Sequence, residues 1–532
     1  MNINTQDLIV STKHQGEPIA PFWTHCVGAG RAAEGLRADW QTQLRDLVKT
    51  HGFRYIRFHG LFHDDMFVYR EDENGNVAPY FQYVDALFDA LLDMGIRPFV
   101  EFAFMPTAIA EHKKTVFWWG ANGAPPTDYD KWQELVRATT AHWVDRYGID
   151  EVRTWYFECW NEPNLKPFFI GTRSQYLELY KRTAIAVKAV DPSLRIGGPA
   201  TSNYVPDERF AGEIEDTSKH AEVLNVEDLS TMDWEPVWLQ EFFTYCRAEN
   251  VPVDFISVHP YPTDWALDEH GQGARLTRDK DATPRDLAHV KSIVKNSPYP
   301  NAEIHLTEWS SSSSSRDYTH DYLQAATFVV RANLEATGCV DSMSYWAFSD
   351  IFEEEGGGQE PFHGGFGMIN QHGIPKPTYH AYRFMSALGD HLLARTKNGV
   401  ITRHGQTQNV TGLFYNYPDE VTQSVPASFN TRDVADAILA QGTSRTITVN
   451  ITDLPANTDY QIEIVDKDHG NAMAKYQALG YPLNLSRSDV KDIKAAATNT
   501  RRENVSSNAK GELNLSINLP AWAIALLNSV ED

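Results

Sequence analysis

Strand-like and helix-like segments alternate eight times between Phe22 and Asp390, and this repetition constrains the fold more than any other feature. Each short apolar run predicts a strand, and each is followed by a segment with apolar residues at helical spacing. The predicted strands are Phe22–Val27, Tyr55–His59, Ile96–Phe102, Trp155–Trp160, Leu194–Gly198, Asp254–Val258, Glu303–Thr307 and Ser342–Phe348. Eight such units in succession are what an α/β (β/α)8 TIM barrel requires. A doubly wound open sheet is the alternative, but it needs a glycine-rich phosphate turn after an early strand, and His59-Gly60-Leu61-Phe62 is not one.

Beyond residue 390 the pattern changes to apolar residues at every second position. Thr446–Ile451, Tyr460–Asp466 and Leu513–Leu519 alternate in this way, and one helical segment is predicted near Ser488–Ala497. We therefore expect a barrel over residues 21–390 and an antiparallel β-sandwich over residues 391–532. Residues 1–20 are too few to fold alone, and we expect them to add a strand to the sandwich.

The composition excludes several classes of partner. Lys and Arg number 47 against 71 Asp and Glu, which gives a net charge of −24. Such a surface repels phosphate backbones and anionic lipids, so we expect neither nucleic acid nor a membrane as partner. The start, MNINTQDLIVSTKHQG, lacks the pattern of a secretory signal, and the four cysteines form no Cys-x-x-Cys motif. A cytoplasmic protein with single buried thiols is the expectation.

Two glutamates follow predicted barrel strands. Glu162 ends the fourth strand in Trp-Asn-Glu-Pro-Asn, and Glu308 ends the seventh in Leu-Thr-Glu-Trp. The carboxyl ends of all barrel strands meet at one face, so the fold brings these distant carboxylates together. Glycosidases cleave a glycosidic bond with two facing carboxyl groups, of which one is protonated and the other is ionised. Mutual repulsion and partial burial would raise one of the two pKa values and keep Glu162 protonated.

The motifs around these glutamates resemble those of glycoside hydrolase family 39, the β-xylosidase family within the clan of barrel glycosidases. The segments that carry the resemblance are RFHG at Arg57–Gly60, WNEPN at Trp160–Asn164, SVHPYP at Ser257–Pro262, LTEW at Leu306–Trp309, YWAFSDIFEE at Tyr345–Glu354 and GGFGMINQHGIPKPTYHAY at Gly364–Tyr382. Asn-Glu-Pro alone recurs throughout the clan. The set in this order is far more specific, and it covers most of the chain.

The resemblance implies a role for each residue at the strand ends. Glu162 would be the general acid/base and Glu308 the nucleophile. Asn161 would hydrogen-bond the sugar 2-hydroxyl, and His259 and Tyr261 would donate to the carboxylate of Glu308.

Further contacts with the sugar are expected from an apolar floor and from polar groups around it. Trp346 would form the floor, Glu353 and Glu354 would accept hydrogen bonds from ring hydroxyls, and His59 would assist from the second strand. Phe168 is a candidate for the leaving-group side. His59 and His63 lie four positions apart beside two aspartates, but residues so spaced at a strand end do not share one face, so no metal is expected. No cofactor is expected either.

The predicted function is an exo-acting retaining glycoside hydrolase that releases terminal xylose from β-xylosides and xylo-oligosaccharides through its two glutamates. An arabinoside, a β-glucoside or an α-L-iduronide remains an alternative substrate, because one hydroxymethyl-sized volume separates a pentose pocket from a hexose pocket. A carbohydrate-binding barrel without activity is the alternative from another class, which loss of either glutamate would have favoured. The expected partner is a small carbohydrate, and a homo-oligomer is left open.

Overall fold

The structure is a computed structural model that describes residues 6–166, 168–202, 204–205, 234–267, 273–423 and 431–530. Eight parallel strands close into a barrel, which confirms the predicted fold class. These strands, called here the first to the eighth barrel strand, are Cys26–Arg31, Tyr55–His59, Arg97–Phe102, Tyr156–Cys159, Arg195–Ser202, Phe255–His259, Glu303–Trp309 and Ser342–Tyr345. Each pairs with its sequence neighbours, and the eighth closes the ring on the first.

A helix follows each barrel strand and packs its apolar stripe on the outside of the barrel. In chain order these helices are Ala38–His51, Gln82–Asp93, Tyr129–Tyr147, Arg173–Val190, Leu239–Ala248, Ala282–Lys295, Leu323–Glu335 and Pro377–Ser386; a short helix at Ile149–Val152 precedes the fourth strand. The spacing of buried residues shows the helical period: Trp132, Leu135, Val136 and Trp143 are all buried in the third helix.

The first barrel strand begins four residues later than predicted. Phe22–Thr24 is a turn of 3-10 helix, and the strand runs through Cys26–Arg31, which contains two glycines, Gly28 and Gly30. The reason for one of them is the indole of Trp346, since a Cβ at Gly28 would lie 2.4 Å from its Cε3 atom. A close approach by an aromatic ring, and not a turn, accounts for this glycine.

Residues after 390 form two sheets with their own apolar core. One sheet has, in spatial order, the strands Glu17–Pro18, His391–Thr396, Gly399–Arg403, Val410–Tyr415, Ile524–Ser529, Asp459–Val465 and Arg501–Ser506; the other has Gln6–Ser11, Arg445–Thr452 and Leu513–Leu519. The alternating burial of Arg445–Thr452 and Leu513–Leu519 follows from the period-two pattern in the sequence. Two segments before residue 20 join these sheets, and Gln6–Ser11 does so in parallel.

Three helices extend from the sandwich toward the barrel: Arg432–Leu439, Ala472–Ala478 and Arg487–Thr498. Their apolar residues share a cluster with Tyr322, Phe362 and Ile374, which belong to barrel segments beyond the seventh and eighth strands. Antiparallel strand pairs outside these sheets occur at Thr115–Val116 with Ala121–Asn122, at Tyr204–Val205 with Glu235–Pro236, and at Thr263–Leu267 with Gly273–Thr277. Among the described residues, the helices are all too short or too polar to cross a lipid bilayer.

Candidate active site

Glu162 lies in a tight turn directly after the fourth barrel strand. Trp160 and Glu162 both have positive φ, at 69° and 43°, a left-handed conformation that costs energy for residues other than glycine. The neighbouring strands hold the turn, because the Trp160 amide donates to the Phe102 carbonyl at 3.3 Å and the Glu162 amide donates to the Ala200 carbonyl at 2.9 Å. The side chain of Glu162 is thereby fixed at the mouth of the barrel, where the residue is 5% exposed.

Glu308, in the seventh barrel strand, is 7% exposed and is held by two donors. The Tyr261 hydroxyl donates to Oε1 at 2.7 Å, which is the contact implied by the family resemblance, and Arg57 Nη1 donates to Oε2 at 3.2 Å. Burial and the nearby Glu162 raise the pKa of Glu308 above its ordinary value. Burial also holds the pKa of Tyr261 well above its ordinary value, so the phenol remains a hydrogen-bond donor.

The two carboxyl groups face each other across a short gap. One oxygen of Glu162, one oxygen of Glu308 and one ring nitrogen of His259 all lie within 4.8 Å of one another. Retaining glycosidases hold their carboxyl groups about 5–5.5 Å apart, whereas inverting enzymes leave a gap of about 6.5–9.5 Å for a water molecule. The geometry therefore matches the shorter arrangement.

Arg57, in the second barrel strand, joins the inward-facing carboxylates of three other strands, and it was not among the site residues predicted from the sequence. Its guanidinium lies 2.6 Å from Glu158, 2.9 Å from Glu101 and 3.2 Å from Glu308, and its exposed side-chain fraction is zero. Burial alone would raise the pKa of Glu158, but the charge of Arg57 holds it below its ordinary value. The sequence contained a signal for this network, because several apolar strands each include a charged residue. A buried charge requires a partner of opposite charge.

His259 lies closer to Glu162 than to Glu308, which corrects the prediction that it donates to the nucleophile. Its Nδ1 atom is 3.0 Å from Glu162 Oε1 and 3.9 Å from Glu308 Oε2. Its Nε2 atom is 2.8 Å from the Thr307 hydroxyl, which donates its own proton to Glu158 at 2.9 Å. The difference arises because the side chain at the end of the sixth strand reaches across to the turn after the fourth.

The contacts among Thr307, His259 and Glu162 determine which of their atoms carry hydrogen. Because the Thr307 hydroxyl gives its single proton to Glu158, it accepts from His259, whose Nε2 must carry hydrogen. Burial lowers the pKa of His259 to about 4, so near neutral pH the ring is neutral and its Nδ1 is an acceptor. A protonated Glu162 satisfies that acceptor. Burial independently raises the pKa of Glu162 to about 7.

His59 and Trp346 are in contact beside Glu308. The two rings lie 4.7 Å apart between centroids, and Trp346 is 1% exposed where it rests on Gly28. His59 Nδ1 contacts Glu101 at 2.8 Å, while its Nε2 lies 4.0 Å from Glu308 Oε2. Burial lowers the pKa of His59 to about 4, so the ring is neutral near pH 7.

The structure separates the pair Glu353 and Glu354, for which the sequence had predicted one shared role. The Glu353 carboxylate lies 2.8 Å from Arg31 and 3.4 Å from Arg37, so its charge is neutralised by these two arginines. Glu354 Oε1 instead lies 3.7 Å from His59 Nε2. Burial and the charge of Glu308 raise the pKa of Glu354 well above its ordinary value, which favours its neutral form.

Asn161 and Phe168 complete the predicted set. The side-chain oxygen of Asn161 accepts from Arg57 Nη2 at 2.9 Å, which orients the amide so that its NH2 group points elsewhere. Phe168 is half-buried, and its ring lies 5.3 Å from that of Phe117 in the segment after the third strand. Its carbonyl accepts from the Trp160 indole at 3.1 Å, which ties this segment to the turn that carries Glu162.

Comparison with known proteins assigns the family. The sequence profile described as "Glycosyl hydrolases family 39" matches residues 7–514. The chain belongs to glycoside hydrolase family 39. The family resemblance seen in the sequence is thus confirmed, and so is the assignment as a glycoside hydrolase.

Relatives of this family 39 chain match over most of its length. A β-xylosidase from Geobacillus stearothermophilus is 35% identical over 521 residues, which are 95% of this chain and 92% of that protein. A β-xylosidase from Caldicellulosiruptor saccharolyticus is 40% identical over 375 residues, 70% of this chain and 69% of that protein. The crystal structure of the GH39 enzyme from Xanthomonas axonopodis pv. citri superposes with a TM-score of 0.84 at 30% identity, covering 100% of this chain and 98% of that one.

Proposed function

We propose that this family 39 enzyme is an exo-acting, retaining β-xylosidase that releases terminal xylose from xylo-oligosaccharides. The observation that carries the proposal is the facing pair Glu162 and Glu308, with oxygen atoms within 4.8 Å and unlike hydrogen-bond partners. Glu308 receives hydrogen bonds from a phenol and a guanidinium, which favour its ionised form. Glu162 faces a neutral imidazole acceptor, which favours its protonated form.

In the first step, the Glu308 carboxylate attacks the anomeric carbon of the terminal sugar. The bond from this carbon to the leaving oxygen breaks, and Glu162 gives its proton to that oxygen. The products of the step are a free alcohol or shortened oligosaccharide and a sugar ester of Glu308. The amide of Asn161, oriented by Arg57, donates to the 2-hydroxyl, a contact that strengthens as positive charge develops on the ring.

In the second step, the Glu162 carboxylate takes a proton from a water molecule whose oxygen attacks the same carbon. The ester bond breaks, the electron pair returns to Glu308, and Glu162 is protonated again. Two inversions leave the released sugar with the configuration it had in the substrate. Tyr261 and Arg57 stabilise the carboxylate as a leaving group because their donors are already in place.

Contacts between loops support exo action. The Trp118 amide donates to the Glu354 carbonyl at 2.6 Å, which joins the segment after the third strand to that after the eighth. Arg316, after the seventh strand, donates to the Gly356 carbonyl at 3.3 Å. The segments that follow the third, seventh and eighth strands thus meet beside Glu354. We infer that they block one end of the site, so that a polymer cannot pass through it. Trp346 provides the apolar face beneath the sugar, and Glu354 contacts its hydroxyls.

The alternative function for Glu162, Glu308 and His259 is to bind a metal ion, since they offer three ligand atoms within 4.8 Å of one another. Arg57 argues against that use, because its buried positive charge already lies 3.2 Å from Glu308. A divalent cation beside this guanidinium would be repelled at short range.

The choice of xylose rests on the relatives, since two that cover most of the chain are β-xylosidases. Initial rates on matched nitrophenyl β-D-xyloside, α-L-arabinoside, β-D-glucoside and α-L-iduronide test it. We expect the xyloside to have the highest kcat/KM, and a higher value for another sugar would contradict the assignment. A xylo-oligosaccharide ladder tests exo action: single xylose units from the first time point support it, whereas mixed short oligomers from internal cuts would refute it.

A further inference from the structure

The segment between the eighth barrel strand and the following helix, residues 346–376, carries both Trp346 and Glu354. It contains isolated bridges but no strand or helix, so its shape depends on contacts made from outside. The run Gly356–Gly358 lies in its middle, and glycine has the largest conformational freedom of any residue. Before this run the segment is held by the ion pair of Glu353 with Arg31.

After the glycine run the segment is held by Arg432, a residue from beyond the barrel. Arg432 Nη2 lies 2.6 Å from Glu360 Oε2 and donates to the Phe362 carbonyl at 2.8 Å. The other oxygen of Glu360 accepts from the Tyr318 hydroxyl at 2.5 Å. Arg432 and Glu360 are only 18% and 11% exposed in their side chains, so water screens this ion pair weakly.

Arg432 begins the helix Arg432–Leu439, which belongs to the C-terminal sandwich region. Its guanidinium lies over the rings of Tyr318, Tyr476 and Tyr481, at 4.9, 5.5 and 4.7 Å from their centroids. Tyr476 in turn packs against Phe362 at 5.0 Å. The aromatic surroundings fix the orientation of the guanidinium, so its contacts with the barrel segment are pre-organised.

A second anchor explains why the segment would persist without Arg432. Lys376 is fully buried and contacts both Asp321 and Asp350 at 2.7 Å, and it donates to the Gly365 carbonyl at 2.9 Å. This network lies within the barrel region and fixes the two ends of the segment. Loss of Arg432 would therefore release only the part after the glycine run, which is joined through that run to Glu354.

We propose that Arg432 is a positioning residue for the sugar pocket, through which the C-terminal sandwich region holds the segment that carries Glu354. The region is then a part of the active-site wall and not only an appended module. The inference rests on the proposed contact of Glu354 with the terminal sugar. It extends that proposal by giving the sandwich region a role in substrate affinity.

The test compares Arg432→Met with Arg383→Met. Arg383 also forms an ion pair between barrel and sandwich, with Glu463 at 2.8 Å, but it contacts no part of residues 346–376 through that pair. We expect Arg432→Met to raise KM for an aryl xyloside about three- to tenfold, the usual size of indirect coupling. Arg383→Met should lower the unfolding temperature similarly and leave KM within about twofold of wild type. Arg432→Lys, which keeps the charge, should recover part of the affinity.

A wild-type KM in Arg432→Met, or an equal KM change in Arg383→Met, would overturn the proposal. A double-mutant cycle that combines Arg432→Met with Glu354→Leu measures the coupling between the two residues. If Arg432 only stabilised the fold, this coupling would be absent. We expect the two changes to be less than additive in kcat/KM, because both act through the same contact. Full additivity would contradict the proposal. If Glu354→Leu alone leaves kcat/KM unchanged, the sugar contact of Glu354 fails, while the KM of Arg432→Met still decides whether Arg432 acts on the pocket.

Discussion

Replacing Thr307 by Val is expected to lower the pKa of Glu162 without touching Glu162 itself. In the wild type, the Thr307 hydroxyl accepts from His259 Nε2 at 2.8 Å, which leaves Nδ1 as the acceptor facing Glu162. Valine has nearly the same shape but offers no acceptor. The imidazole proton then moves to Nδ1, where it donates to the Glu162 carboxylate and stabilises the ionised form.

The size of the shift follows from the energy of that hydrogen bond. A hydrogen bond to a charged group contributes about 1.5–3 kcal/mol, and about 1.4 kcal/mol corresponds to one pKa unit. The cost of the change of tautomer offsets part of this energy. We therefore expect a decrease of about one unit from the wild-type value of about 7.

The assay is kcat/KM as a function of pH on xylobiose, whose leaving group needs protonation. The alkaline limb reports the pKa of the acid in the free enzyme. Because activity requires protonated Glu162, a lower pKa moves this limb to lower pH. Thr307→Ser keeps the hydroxyl and serves as the control, with an expected limb at the wild-type position. An unchanged or higher limb in Thr307→Val would refute the proton assignment.

Four further substitutions test individual roles. Glu308→Ala should abolish turnover of every substrate, whereas Glu162→Ala should impair xylobiose far more than an activated aryl xyloside, and equal losses on both substrates would count against the roles. Tyr261→Phe should lower kcat by about 1.5–3 kcal/mol in activation free energy, measured at saturating substrate, because a donor to the Glu308 carboxylate is removed. Glu354→Leu should lower kcat/KM for the xyloside by about 1–2 kcal/mol through lost hydrogen bonds to the sugar; wild-type kinetics would exclude that contact.

The barrel could be predicted because its information is local and repeated. Each strand is a short apolar run and each helix has a 3.6-residue period. A single such unit is weak evidence, but eight in succession together indicate a barrel. The first strand was predicted to end at Val27, and the contact that explains Gly28 in the observed strand lies at Trp346, more than three hundred positions away. Contacts of that kind leave no local pattern.

Glu162 and Glu308 were placed at the strand ends by the same logic, but their partners were not. The sequence shows that Arg57, Glu101 and Glu158 interrupt apolar strands, and that signal could have predicted a buried network. Which carboxylate His259 contacts depends on ångström-scale distances across the barrel, which no spacing encodes.

The assignment of one role to Glu353 and Glu354 could have been questioned from the sequence. Successive side chains in an extended chain point in opposite directions, so two adjacent glutamates rarely face one pocket. The structure shows this separation, with Glu353 against Arg31 and Glu354 beside His59. Arg31 offered no local signal as the partner, because the two residues meet only through the closure of the barrel.

The central claim is that Glu162 and Glu308 act by double displacement, and the configuration of the first-formed product tests it most directly. Proton NMR during hydrolysis of a nitrophenyl β-D-xyloside resolves the anomeric signals of xylose before they equilibrate. Oxygen atoms within 4.8 Å leave no room for a water molecule in addition to the substrate between the carboxyl groups, which inversion would require. We predict that β-xylose appears first and α-xylose grows later by mutarotation; α-xylose as the first product would contradict the account.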